Sequence, residues 1–237
     1  MAINYYPLIN KIVSTLGIKD RLLQELPEEH FFSKPFITIA REPGSGGAPI
    51  AKKLAERLGF VVHDETIIDQ IAESTKRRKA IIQQLDEKGR SYVNDLVHSA
   101  LNPEYVDENT FIKELTRVIL TFAHQGNCVI LGRGSNFITP FARGLHVNIV
   151  APYELRVHRA MEYEGYDRAK AKKVIAYHEK ERREFVKKYF KQDLNSRNAY
   201  DLTINTTYLS VDEAVEVIEL AFRRKFPAFK RLKAVFF

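Results

Sequence analysis

The chain has 237 residues, with 37 Lys and Arg against 30 Asp and Glu, a formal net charge of +7 and 45% apolar residues. That composition excludes a disordered tail, a collagen-like repeat and a flexible linker, and the length suits one large domain, or a core with a small subdomain, that needs no staples. No stretch approaches the ~20 apolar residues that cross a bilayer, the start lacks a secretory pattern, and the lone Cys128 excludes an intramolecular disulfide; cytoplasmic residence is the expectation.

Residues 1–34 read as a short helical N-terminal extension. Phe36-Ile37-Thr38-Ile39-Ala40 is β-branched and almost wholly apolar, as expected of a strand buried on both faces. A Gly-rich turn follows, Arg41-Glu42-Pro43-Gly44-Ser45-Gly46-Gly47. Ile50, Leu54 and Leu58 then recur at helix spacing with Ala51 and Ala55 beside them, and Gly59 stands where a C-cap glycine belongs. Phe60-Val61-Val62-His63 is a second apolar run. The charged stretch 65–125 reads as mostly helical, with a break at Asn102-Pro103 and a helix over 111–124 that Gly126-Asn127 ends. Cys128-Val129-Ile130-Leu131 is a third strand and 145–150 a fourth, after which Pro152 suits the first turn of a helix. Helical segments over 153–164 and 168–190 flank Gly165-Tyr166-Asp167, and Leu202-Thr203-Ile204-Asn205 is a fifth strand. Ser210 and Glu213 form a capping box for a helix whose stripe is Val211, Ala214, Val215, Ile218 and Ala221. The α/β domain spans 35–226 and a tail 227–237 follows it.

Five apolar strands alternating with helices predict an α/β fold with a mainly parallel sheet and helices on its faces. Ligands of such sheets gather at the carboxyl ends of the strands. Those ends are the 41–47 turn, His63-Asp64-Glu65, Gly132-Arg133-Gly134, Ala151-Pro152 and Asn205-Thr206-Thr207. The first is the most informative. A strand, a turn with Gly44, Ser45, Gly46 and Gly47, then a helix beginning near Ala48 aims backbone N–H groups at an anion, with the helix dipole behind them. The full phosphate-loop pattern G-x-x-x-x-G-K-[ST] is not met: Gly47 falls at the Lys position, and Ala48 and Pro49 fall where a hydroxyl would be. A Gly-rich turn with no ligand is the alternative.

The basic residues are spread over Lys76-Arg77-Arg78-Lys79, 170–173, Arg182-Arg183, Lys187-Lys188 and 223–233, several interleaved with Glu. They fit solvated helix faces, a phosphate-bearing small molecule or a nucleic acid, and charge alone does not separate these. No nucleic-acid signature accompanies them, so nucleic acid is not the expected partner. Cys128 reads as a core residue, and the seven histidines have no metal-ligand spacing.

Ile37-Thr38-Ile39-Ala40-Arg41-Glu42, the Gly44-Ser45-Gly46-Gly47 turn and Ile50-Ala51-Lys52-Lys53-Leu54-Ala55 resemble the opening of the cytidylate kinase-like proteins, relatives of bacterial cytidylate kinase among the P-loop nucleoside monophosphate kinases. Asp64, Ile130-Leu131-Gly132-Arg133-Gly134, Glu179-Lys180-Glu181-Arg182-Arg183 and Tyr200-Asp201-Leu202-Thr203-Ile204-Asn205-Thr206 continue the resemblance in the family's order over about 35–222. The resemblance implies a P-loop kinase-like fold with a helical lid near 153–195. It also implies transfer of the ATP γ-phosphate to a nucleoside monophosphate, CMP or dCMP foremost, with Mg²⁺ held by nucleotide and water rather than by a protein metal site.

By the same resemblance Arg133 grips the acceptor phosphate, and Asp64 lies beside it. The Arg159, Arg182 and Arg183 guanidiniums come over the phosphates from the lid and its flanking helices, where Arg156 shares a helix face with Arg159. Arg41 and the 44–48 turn hold ATP, with Asn205 and Thr206 as the adenine-side wall. The sequence departs from the family in two places. Gly134 replaces the Asp of the Gly-Arg-Asp motif, and Ala48-Pro49 replaces the basic residue that usually follows the turn. Either Arg41, Lys52 or a lid arginine supplies that charge, or the protein binds nucleotide without efficient turnover. Two plainer readings stand beside these: Asp64 as the N-cap of a helix starting at Glu65, and Arg182-Arg183 as part of a salt-bridged surface with Glu179, Glu181 and Glu184.

Overall fold

The apolar run that opens the domain becomes β1 (Phe36–Arg41), the central strand of a five-stranded sheet. With β2 (Val61–His63), β3 (Cys128–Leu131), β4 (Gly144–Val150) and β5 (Leu202–Asn205) the order is β2-β3-β1-β4-β5, and every pairing is parallel. The expected mainly parallel sheet is thus parallel throughout. Thr38 lies opposite Ile130 on one side and His146 on the other, so the ends of β1 and β3 deliver Arg41 and Gly132 side by side. The computed structural model describes residues 32, 34–101, 110–141 and 143–229; most of the expected N-terminal extension, the Asn102-Pro103 break and the last eight residues of the tail lie outside them.

Alternation along β1 sends side chains to two cores. Ile37 and Ile39 join Val129, Leu131, Val147 and Ile149 beneath α1 (Gly47–Leu58), with the terminal helix, over Val211–Lys225, packed alongside. Phe36 and Ile130 face the other core, built on α2 (Glu65–Glu73) and the buried stripe of the long helix over Thr110–Gln125. Phe60 is not part of β2. It is buried against the rings of Phe222 and Phe229, with centroids 5.6 and 5.4 Å away, while Val61 at the sheet edge is exposed.

Side-chain caps divide the charged helical stretch. Asp64, Ser74 and Asp86 accept from the amides of Ile67, Arg77 and Gly89, starting α2, α3 (Thr75–Ile82) and α4 (Glu87–Ala100). In chain order α5 is the Thr110–Gln125 helix and α6 the single turn Ser135–Ile138; α7 (Tyr153–Glu164) and α8 (Arg168–Phe190) form a hairpin, and α9 is Val211–Lys225. Pro152 is the N-cap of α7 rather than a residue of its first turn. The capping box at Ser210 and Glu213 is present. The hairpin has its own small core of Val157, Ala160, Ala171 and Ile175. It stands at the carboxyl end of the sheet, because α7 follows β4 directly. No helix of the described residues is long and apolar enough to cross a membrane.

Candidate active site

The carboxyl end of β1 turns through Glu42 and Pro43 into the glycine loop. Gly44 has φ 76°, and a Cβ there would come within 2.9 Å of the Arg156 carbonyl oxygen. Ser45 is buried and its hydroxyl donates to the Glu42 carbonyl at 2.9 Å. Gly46, φ 87°, is the N-cap of α1 and offers no side-chain cap. The first-turn amides of Gly47 and Ala48 are therefore left to an incoming acceptor, whereas Pro49 has no N–H to give. The loop thus presents two first-turn amides where a third residue, Pro49, has none to add.

A cationic side chain lies over Gly47, the position where the full phosphate-loop pattern has its lysine. Arg41 folds its side chain across the mouth of the loop: a Cβ on Gly47 would sit 2.5 Å from the Arg41 Cβ, and one on Gly132 would collide with its Nη1. Gly47 is glycine because Arg41 uses the space. We expect Gly47→Ala to push Arg41 off this path, since the obstructing atoms lie at the root of the side chain rather than its flexible tip; pyrophosphate binding should fall several-fold, measured beside the unfolding temperature.

Next to the loop, at the ends of β1 and β3, is a cavity of about 260 Å³. Arg41, Arg133 and Arg182 line it, with Glu65, Glu181 and His178 among them and Phe185 on the α8 side. Arg41 reaches it from β1, Arg133 from the turn after β3, and Arg182 from α8, three segments far apart in the chain. Arg182 donates to the Arg41 carbonyl at 2.9 Å, and Arg41 pairs with Glu65 at 2.8 Å. Arg133, held at φ 52° between two left-handed glycines, makes a two-pronged bond to Asp69, Nε to Oδ1 at 2.8 Å and Nη2 to Oδ2, and lies 5.7 Å from the Phe185 ring centre.

The electrostatics follow from this crowding. Burial, then the charges of Arg41 and Arg133, pulls the Arg182 guanidinium down to about 10, so it remains cationic at neutral pH. Burial would raise the Glu65 carboxyl, but Arg41, Arg182 and Arg133 together outweigh it and hold it below its ordinary value. Glu65 is thus an anion held among three guanidiniums. His63, by contrast, is stacked on Phe122 at 3.6 Å and burial drives it down to about 4, which keeps it neutral. Burial pushes the Cys128 thiol up to about 12, as suits a core residue.

The other expected site residues fall elsewhere. Arg159 donates to the Thr206 hydroxyl and carbonyl at 2.9 and 2.8 Å, and Thr206 donates to the Ser45 carbonyl at 2.8 Å, so this pair ties the last strand loop to the glycine loop instead of lining the cavity. Asn205 is exposed and its Oδ1 accepts from the Thr207 amide. Asp64 caps α2, the plainer of its two readings. Arg183 and Lys52 are exposed and neither lines the cavity; Arg183 follows Arg182 on α8, and a helix turns its next residue about 100° away. Arg156 is buried, bound to the carbonyls of Ala151 and Pro43 and to Glu179 and Glu42. The residues that sequence reasoning missed are Glu65, Asp69, Glu181 and Phe185. The signal for the first two was present: carboxylates at i and i+4 just after a strand end share one helix face.

An all-parallel sheet, a glycine loop feeding a helix, and arginines gathered at the carboxyl ends of its strands define a P-loop kinase-like protein. The chain belongs to the cytidylate kinase-like family, whose model matches residues 36–208. It is 29% identical to the cytidylate kinase of Pyrococcus horikoshii over 79% of this chain and 88% of that one. It is 27% identical to that of Ignicoccus hospitalis, over 77% and 96%. Among solved structures, an uncharacterized protein from Eubacterium ventriosum shares the fold with a TM-score of 0.62 and 24% identity, covering 81% of this chain and 99% of that chain.

Proposed function

We propose that the protein is a nucleotide kinase that moves the ATP γ-phosphate to a nucleoside monophosphate, with CMP or dCMP as the leading acceptors. The single observation that carries this reading is the convergence of Arg41, Arg133 and Arg182 on one cavity beside the uncapped start of α1. Phosphoryl transfer asks little covalent chemistry of a protein; it asks that two phosphates be aligned and their charge offset. The Gly47 and Ala48 amides would hold donor phosphate, Arg133 the acceptor phosphate, and Arg182 the equatorial oxygens between them. Arg41, placed across the loop, would take the part of the lysine that Gly47 lacks.

The residues fit a polyphosphate. Among the described residues no three His, Cys, Asp or Glu side chains are grouped to cage a metal ion, so Mg²⁺ would be held by phosphate oxygens and water, and when bound it offsets charge on the transferring group. Gly134 departs from the Gly-Arg-Asp pattern of the resemblance, and the Phe190 ring edge would lie 2.6 Å from a Cβ there.

A second reading, a nucleotide-binding protein without turnover, is favoured by Pro49, which removes one amide from the loop, and by the absent lysine. An ADP-release assay across the nucleoside monophosphates separates the two. We expect turnover, strongest with CMP or dCMP and lost in Arg133→Ala; a thermal shift with ATP but no ADP from any acceptor supports the second reading and defeats the first.

A further inference from the structure

Glu65 and Asp69 are one turn apart on α2, and between them they hold the arginines of the cavity. Glu65 accepts Arg41 at 2.8 Å and lies 3.8 Å from Arg182; Asp69 takes Arg133 in the two-pronged bond. We propose that this pair of carboxylates positions the phosphate-binding arginines: α2 is a ruler that sets the spacing of the guanidiniums before any anion arrives. The proposal rests on the phosphate-site reading and names the residues that assemble it.

The alternative is that the carboxylates compete with phosphate for the same guanidinium edges. The geometry favours positioning. Asp69 engages Nε and Nη2 of Arg133, and a guanidinium has five N–H groups, so the two of Nη1 stay available. Arg182 is fixed by a backbone carbonyl as well as by Glu65, so α2 is not its only restraint. Three guanidiniums in so small a cavity repel one another, and without counter-charges their long flexible side chains would be drawn to solvent. Arg133 has the most to lose, since its backbone is already left-handed, a conformation side chains seldom adopt. Asp69 is also well placed to act through Arg133 alone: among the described residues no cap, turn or second ion pair involves it. The Asp64 cap, one turn earlier, fixes where α2 begins, and so where both carboxylates stand.

The test is a double-substitution cycle on the full chain, read by calorimetric titration of inorganic pyrophosphate at fixed ionic strength. Asp69→Ala should weaken pyrophosphate about tenfold and Arg133→Ala about thirtyfold, while the double variant should bind no worse than Arg133→Ala alone, because a residue that acts only through its partner adds nothing once the partner is gone. Tighter binding by Asp69→Ala overturns the proposal, since it marks the carboxylate as a competitor. An equal loss with and without Arg133 overturns it as well. Asp69→Asn, which keeps the shape and one acceptor oxygen, carries the same comparison if the alanine variant does not fold, with a smaller loss expected. Failure of the unsubstituted chain to bind pyrophosphate overturns both the anion site and the positioning role. Coupled pyrophosphate binding without phosphoryl transfer to any nucleotide upholds the positioning role and defeats only the kinase reading.

Discussion

Arg182→Ala should lower turnover about a thousandfold while the sheet stays folded, the scale set by removing a charged donor that acts on a phosphoryl group in flight. Arg182 comes from α8, lies over the cavity, and is held by the Arg41 carbonyl and Glu65 rather than by the core. Its loss leaves those partners partly solvated, so the unfolding midpoint should move by only a few degrees, consistent with about 1 kcal/mol. Arg182→Lys should recover little, because an ammonium cannot donate to the Arg41 carbonyl and to phosphate through one planar fork. Steady-state kinetics beside thermal unfolding decides this: an alanine variant within threefold of the parent would remove Arg182 from the reaction.

The largest stability effect should come from a residue outside the cavity. Arg156 is 5% exposed and donates to the Ala151 carbonyl at 2.9 Å and to Glu179 at 2.6 Å, with Pro43 and Glu42 at 3.4 Å. One side chain therefore joins β4, the glycine loop and α8. Arg156→Leu leaves the Glu179 carboxylate and the Ala151 carbonyl short of a partner in a buried place, and we expect a loss of about 3–5 kcal/mol. Chemical denaturation gives the value; a loss below about 1 kcal/mol would mean that water replaces the guanidinium. The order of the two effects is informative: Arg182 should affect rate far more than stability, and Arg156 the reverse.

Much of the architecture was legible. The third and fifth strands and the two hairpin helices lie within the expected bounds, since short apolar runs and the Gly165-Tyr166-Asp167 break between the helices leave strong local marks. Gly59 and the Ser210–Glu213 box were legible for the same reason. The site was only half legible. The glycine loop and Arg133 follow from strand ends, but the sequence does not separate Arg182, which lines the cavity, from Arg183, which does not; only the rotation of α8 against the sheet decides it. Arg156 and Arg159 share a helix face and look like one unit, yet their partners are the loops beside them, and such long-range pairing has no local signature. Asp69 was legible only as a carboxylate on the Glu65 face of its helix; its pairing with Arg133, 64 residues away, was not.

The contact between Gly134 and Phe190 ties two distant positions together. With the ring edge seated where a side chain would begin, and φ at +65°, an aspartate placed at position 134 alone would collide with the Phe190 ring at the end of α8. The two sites are therefore coupled: an aspartate at 134 should cost less stability when Phe190 is also made small, although the positive φ leaves part of the cost in place.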